Sequence, residues 1–224
     1  MMYGNRKARQ EKGQQVSLAE NAYHRLKDKI LRNEFPPSEF VSIGKLSDSL
    51  GDVGWTPVRE AVQRLHEDQF LTLIPRKGIV IPEFDIKKIM NQLELRFVIE
   101  SYATVKAVGK ISDELYEELL VLVDLMGDES RSDYDVTASN FDFHLKIVET
   151  INNGEITRTL SQIYDHNTRF FIYFIADYAR LEKTCGEHKL LLDALYQGNE
   201  KRVSEVIEEH NTGTRQLLLD SILG

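Results

Sequence analysis

The sequence predicts a mainly α protein in two parts. The first is a module of three helices closed by a β-hairpin, and the second is an antiparallel bundle of six helices. Three observations carry this. Up to Pro82, amphipathic segments lead into two short β-type runs, Phe70-Leu71-Thr72-Leu73-Ile74 and Ile79-Val80-Ile81-Pro82, around the turn Pro75-Arg76-Lys77-Gly78. From Asp85 onward only helical periodicity remains. Charge divides at the same place: the 224 residues carry a net −8, but residues 1–82 hold +3 and residues 83–224 hold −11. Such a split predicts a mildly basic module joined to an acidic one.

Composition narrows the class. A hydrophobic content of 42% suffices for packed cores, and the single Cys185 excludes a disulfide framework within the chain. No apolar run approaches the ~20 residues that cross a bilayer, and no secretion signal opens the chain. The expectation is a cytoplasmic protein with no membrane partner.

Taken in order, residues 1–16 are polar and read as a flexible N-terminal arm. Residues 17–82 form the first domain. Leu18 to Asn33 is helical, with Ala22, Leu26, Ile30 and Leu31 on one face, and Phe35-Pro36-Pro37 ends it. Ser42 caps a short helix from Ile43 to Leu50, closed by Gly51. The third helix begins at Gly54-Trp55-Thr56-Pro57, with Thr56 read as the cap and Pro57 as the first helical residue. Val58, Ala61, Val62 and Leu65 make its apolar face, and Arg59, Gln63 and Arg64 lie opposite. A short helix that buries one side and offers Arg and Gln on the other suits a major groove, where such side chains pair with base edges. Three helices and a hairpin make a winged helix-turn-helix, whose tip carries Lys77 and Gly78 toward a phosphate or the minor groove.

Tyr23-(x)2-Leu26-(x)3-Ile30, Leu46-(x)3-Leu50-Gly51, Thr56-Pro57-Val58-Arg59-Glu60-Ala61, Leu65 and Gly78-(x)-Val80 together resemble the DNA-binding domain of GntR-type bacterial regulators. The lead-in Gly51-Asp52-Val53-Gly54-Trp55 departs from the Gly-Val-Ser-Arg usual in that family, and Trp55 stands where relatives often carry a DNA-contacting Arg. The resemblance implies binding to double-stranded DNA through Thr56, Arg59, Trp55, Arg64, Lys77 and Gly78.

Residues 83–224 form the second domain. Helices are expected over Asp85–Gly109, Ser112–Met126, Tyr134–Asn152, Glu155–Tyr178, Glu182–Tyr196 and Asn199–Leu223, with a break near Lys183 to Gly186. His144 is followed by Ile147, Val148 and Ile151, and His188 by Leu191, Leu192 and Leu195. His210 shares a stripe with Val203, Val206, Ile207 and Leu217. Three histidines on three helices therefore point inward, and Asn140 lies one turn before His144 on the same face. Imidazole is a common ligand of Zn, Ni, Cu, Fe and Mn.

Asn140-(x)3-His144, Glu187-His188-(x)2-Leu191-Leu192-(x)-Ala194-Leu195-(x)2-Gly198-Asn199 and His210 resemble the FCD effector domain of the FadR branch, and six helices point to its VanR-like subgroup. The resemblance implies a divalent metal, Zn, Ni or Mn, on Asn140, His144, His188 and His210. Four neutral ligands leave the metal charge uncompensated, so an anionic effector, most simply a small carboxylate, is expected. Arg96 either clamps that carboxylate or forms a surface pair with Glu100 at i+4. Arg169 and Tyr173 are further effector-binding candidates, and His166 faces either the cavity or solvent.

The rival class is a metal-dependent helical-bundle enzyme. Di-iron bundles need Glu-x-x-His pairs, and the residues three before each histidine are Phe141, Cys185 and Ile207. No His-Glu-x-x-His and no Gly-rich phosphate loop occur. The expectation is a non-enzymatic, metabolite-responsive transcription regulator, a repressor in sense and homodimeric on a palindromic operator, with a regulator that needs no metal as the alternative.

Overall fold

Ser17 starts the first helix: its hydroxyl accepts the Glu20 N–H at 3.1 Å, satisfying one free donor of α1, Leu18–Leu31. The computed structural model describes residues 17–174 and 178–223, and the side chains of residues 173–182 and 222–223 lie outside that description. The arm at 1–16 and the side chain of Tyr173 are therefore outside the described residues. Helix α2 is Ile43–Leu50, capped by Ser42 on the Lys45 N–H at 3.1 Å and ended by Gly51 at φ 73°. Helix α3 is Trp55–Glu67. Ala22, Leu26 and Ile30 of α1 and Val58, Ala61 and Leu65 of α3 are fully buried, and these two helices form the main packing of the module.

The start of α3 corrects one expectation. The N-cap is Gly54, in extended backbone and without a side-chain cap bond, so Trp55, Thr56 and Pro57 are the first three helical residues. The first intrahelical bond is Val58 N–H to Gly54 C=O at 3.3 Å. Pro57 thus falls within the first turn, where the missing N–H would have had no helical partner anyway.

The hairpin gains a third strand. β1 is Phe40–Val41, β2 is Thr72–Ile74 and β3 is Gly78–Val80, in the antiparallel order β1-β3-β2. Two residues are too short to show a period-2 pattern, so β1 was not legible in the sequence. Arg76 holds a left-handed φ of 64° and Gly78 a φ of 115°. It is that backbone conformation, with no crowding around the missing Cβ, that favours glycine at position 78 of the wing.

Contacts divide the chain between Asp85 and Ile86, close to the expected boundary. The second unit holds α4 (Ile86–Lys106), α5 (Asp113–Met126), α6 (Asp133–Glu149), α7 (Gly154–Phe174), α8 (Tyr178–Tyr196) and α9 (Glu200–Leu223). Ser112 and Ser132 cap α5 and α6. One apolar cluster joins α5, α6, α8 and α9 through Leu119, Leu122, Phe143, Ile147, Leu192 and Val206. Another joins α4, α6 and α7 through Ala103, Phe141, Leu145, Leu160 and Tyr164. Helix α6 contributes to both, so His144 sits between two cores. The break expected near Lys183 to Gly186 is absent. Gly186 lies inside α8, exposed, where an added Cβ would meet nothing. A helical glycine costs about 1 kcal/mol relative to alanine, which the buried Leu191, Leu192 and Leu195 outweigh.

Candidate functional site

Inward stripes bring three imidazoles together. His144 of α6, His188 of α8 and His210 of α9 are all buried, and their ligand-type nitrogens lie within 4.8 Å of one another. The Nε2 atoms of His144 and His188 are 2.9 Å apart. The ring centroids of His210 lie 5.1 Å from His144 and 4.8 Å from His188.

Two carboxylates stand behind this cluster. Glu100 Oε1 is 2.7 Å from Nδ1 of His144, at ion-pair distance but off hydrogen-bond geometry. Glu187 Oε2 is 2.9 Å from Nδ1 of His210. A proton on Nδ1 facing a carboxylate leaves the Nε2 lone pair for the centre of the cluster, the usual arrangement behind metal-binding histidines. Burial, reinforced by the neighbouring imidazoles, holds His188 well below the ordinary histidine range. Burial also lowers His144, against the opposing pull of Glu100. Both rings are therefore neutral near pH 7, as metal ligands must be. Asn140 Oδ1, one turn before His144, is buried without a hydrogen-bond partner among the described residues. A stranded acceptor one helical turn from a neutral imidazole fits a cation; it does not fit an anion.

Arg96 corrects a second expectation. Its pair with Glu100 exists, Nε donating to Oε2 at 2.7 Å, but it is not on the surface: both side chains are fully buried. Burial alone would raise the Glu100 carboxyl, yet the guanidinium of Arg96 and the imidazole of His144 hold it well below the usual carboxylate range. The guanidinium lies 5.2 Å from the Phe141 ring and 4.9 Å from the Tyr164 ring, and Arg96 Nη1 has no hydrogen-bond partner among the described residues. Tyr164, stacked on Phe141 at 4.8 Å, carries its buried hydroxyl beside Glu100 and Arg96 without meeting hydrogen-bond geometry. Arg169 is buried on α7, and desolvation lowers its guanidinium to about 10. His166 is half-buried.

From sequence, Glu100 was named only as a partner of Arg96 and Glu187 only within the FCD-like motif; neither was read as an orienting carboxylate, and the hydroxyl of Tyr164 was not singled out. A signal for the first was present. Ile89, Leu93, Arg96, Glu100, Ala103 and Ala107 recur at spacing three and four, which places Arg96 and Glu100 on the inward face of α4.

In the first unit, Trp55, Thr56 and Arg59 are exposed on α3, and Lys77 and Gly78 are exposed at the wing. The Trp55 indole lies beside Gly44 at the start of α2, 3.9 Å from where a Cβ would stand. Arg64 is turned to another task. It pairs with Glu20 of α1, and its guanidinium lies 4.3 Å from the Tyr23 ring. The helical period explains the difference: Arg64 is adjacent to the buried Leu65, so it reaches α1 along the edge of the interface.

A winged helix-turn-helix followed by a helical bundle with a buried ligand-type cluster is the build of a DNA-binding regulator with a sensing domain. The chain belongs to the gntR family of bacterial regulatory proteins, matched over residues 18–81, in combination with an FCD domain, matched over residues 92–213. It is similar to the uncharacterized HTH-type transcriptional regulator YdhC of Bacillus subtilis, 25% identical over 197 residues, 84% of this chain and 85% of that one. It is also similar to the HTH-type transcriptional repressor GlaR of Escherichia coli, 22% identical over 202 residues, 85% of this chain and 90% of that one. Its fold matches that of E. coli McbR/YncC, with a TM-score of 0.80 at 22% identity over 93% of this chain and all of that one (100%). The protein is a transcriptional regulator. No helix among the described residues is long and apolar enough to cross a membrane.

Proposed function

We propose that the chain is a metabolite-responsive repressor whose FCD domain holds a divalent metal on Asn140, His144, His188 and His210 and receives a small carboxylate there. The observation that carries this reading is the buried histidine cluster, its donor atoms within 4.8 Å, with a carboxylate set against Nδ1 of two of the three rings. Zn, Ni and Mn all accept such a donor set. When bound, the metal supplies a localised positive charge that neutral ligands leave uncompensated, and a carboxylate balances it. Arg96 Nη1 offers a second, charge-assisted contact to that carboxylate. Arg169, buried on α7, is a further candidate contact to the effector.

On the DNA side, Arg59, Thr56 and Trp55 read the major groove, and Lys77 and Gly78 approach the backbone. Arg64 serves instead as a brace to α1. A homodimer on a palindromic operator is supported by an exposed apolar stripe on α4, Leu95, Val98 and Tyr102, which suits a second copy of the chain. The repressor sense is supported by the similarity to GlaR, a transcriptional repressor. Effector binding acts by linkage. A 100-fold loss of operator affinity requires a preference of roughly 2.7 kcal/mol for the released state.

A second reading keeps the effector and omits the metal. It is favoured by the Nε2 pair at 2.9 Å, which also suits an N–H···N hydrogen bond between His144 and His188. A thermal-shift screen of small carboxylates, run with chelator and with added Ni2+, separates the two. Stabilisation only with Ni2+ supports the metal reading. Equal stabilisation in chelator supports the second, and no response to any carboxylate refutes both.

A further inference from the structure

We infer that Asn167 is a specificity-determining residue of the effector pocket, reading a hydroxyl or primary amide that the effector carries besides its carboxylate. The inference rests on the carboxylate reading above and deepens it. Asn167 is fully buried on α7, and neither its Oδ1 nor its Nδ2 has a hydrogen-bond partner among the described residues. Folded proteins rarely leave a buried amide unpaired at both ends, because each end has lost its water without compensation. Tolerated here, the group points to something that enters from outside.

Register places Asn167 at the pocket. The Arg96 guanidinium lies against Tyr164, and Ala103 shares an apolar cluster with Leu160, so α4 and α7 run antiparallel. Phe141 stacks on Tyr164 and meets the edge of Phe171 at 5.5 Å, so α6 passes this level too. Asn167 stands three residues beyond Tyr164, about 4.5 Å further along the helix, between the two rings that Phe141 touches. At this level Arg96 Nη1 and Asn140 Oδ1 are also buried without a hydrogen-bond partner among the described residues, and the Tyr164 hydroxyl lies beside Glu100 and Arg96 off hydrogen-bond geometry. Asn167 thus shares its level of the bundle with other buried polar atoms that no hydrogen bond satisfies.

The amide decides what it can read. It offers one acceptor oxygen and one donor nitrogen, so its full complement is a group that both donates and accepts. A hydroxyl and a primary amide do so, whereas an ammonium only donates and a carboxylate only accepts. Charge in the ligand is met elsewhere, by Arg96 and the histidine site. The ligand class is thus a hydroxy- or carboxamido-carboxylate. The competing occupant is a structural water, bonded to both ends of the amide.

The test uses the full chain loaded with Ni2+ and four probes, lactate against propionate and malate against succinate, with alanine as the ammonium control. The expected result is about tenfold tighter binding of the hydroxy acid in at least one pair, with no such gain for alanine over propionate. In Asn167→Leu that preference disappears while the affinity for propionate and succinate stays within about twofold. Ligand-free Asn167→Leu melts at or above the parent protein, because an apolar side chain of similar volume replaces an unpaired amide. A preference that survives in Asn167→Leu, or its absence in the parent, overturns the inference. So does a large fall in melting temperature of both Asn167→Leu and Asn167→Ala without ligand, the signature of a water-bonded structural amide. If no carboxylate binds the parent at all, the carboxylate reading fails, and the melting comparison alone decides the role of Asn167.

Discussion

Glu100 Oε1 stands 2.7 Å from Nδ1 of His144, with both side chains fully buried. The other oxygen of the same carboxylate accepts from Arg96. One charge thus orients a candidate metal ligand and balances a buried guanidinium. Glu100→Gln should weaken Ni2+ binding by roughly 10–100-fold through loss of the orienting partner. It should also destabilise the fold by about 3–5 kcal/mol by leaving Arg96 uncompensated. Metal titration and denaturant unfolding read the two effects separately, and an unchanged titration would remove Glu100 from the metal site.

His210→Gln should abolish metal retention while disturbing packing little. Elemental analysis of protein purified without chelator should give about one divalent ion per chain for the parent and a negligible content for the variant. For a site held 100-fold above its dissociation constant, chelator should cost about 2.7 kcal/mol, or roughly 5–10 °C in Tm for a bundle of this size. An equal chelator response in parent and variant would rule out His210 as a ligand.

Arg59 and Arg64 should part company on DNA. Arg59→Ala is expected to lose about 1–3 kcal/mol of operator binding. Arg64→Ala should leave operator affinity nearly intact and instead lower the melting temperature, since it removes the Glu20 pair and the stacking on Tyr23. Fluorescence anisotropy on operator fragments, with salt titration, together with thermal melts, distinguishes them. Loss of DNA binding in Arg64→Ala with an unchanged melt would return Arg64 to the interface.

Trp55 is the chain's one tryptophan and is 66% exposed at the start of α3. Its emission should shift to the blue or be quenched when operator DNA is added, since the indole leaves water at the groove. Emission unchanged at saturating DNA would place Trp55 outside the contact.

Val98, 67% exposed between Leu95 and Tyr102 on α4, should tolerate no charge if this stripe is the dimer seam. Val98→Glu is expected to run as a monomer in sedimentation at concentrations where the parent is a dimer, and to bind half-sites only. A parent that is itself monomeric would discard the seam.

Local signals made most of the fold legible. The caps at Ser17, Ser42, Ser112 and Ser132 and the three–four periodicity of each amphipathic helix are properties of neighbouring residues. The inward turn of His144, His188 and His210 was readable for the same reason. Where local signals were weak or ambiguous the reading slipped: β1 is two residues long, Gly186 resembled a helix end, and Thr56 resembled a cap although Gly54 supplies the backbone bend.

The sequence by itself determined the two-part architecture, the family, the amphipathic third helix and the inward histidines, because each is written in short-range pattern and charge. Only the tertiary structure decided that Arg96 and Glu100 are an internal pair, that Glu100 and Glu187 back two of the imidazoles, and that Asn167 is buried without a hydrogen-bond partner among the described residues. Those relations join α4 to α6, α8 to α9 and α7 to the bundle interior. They depend on how helices distant in sequence register against one another, and one-dimensional periodicity assigns a residue to a face without naming what the face will meet.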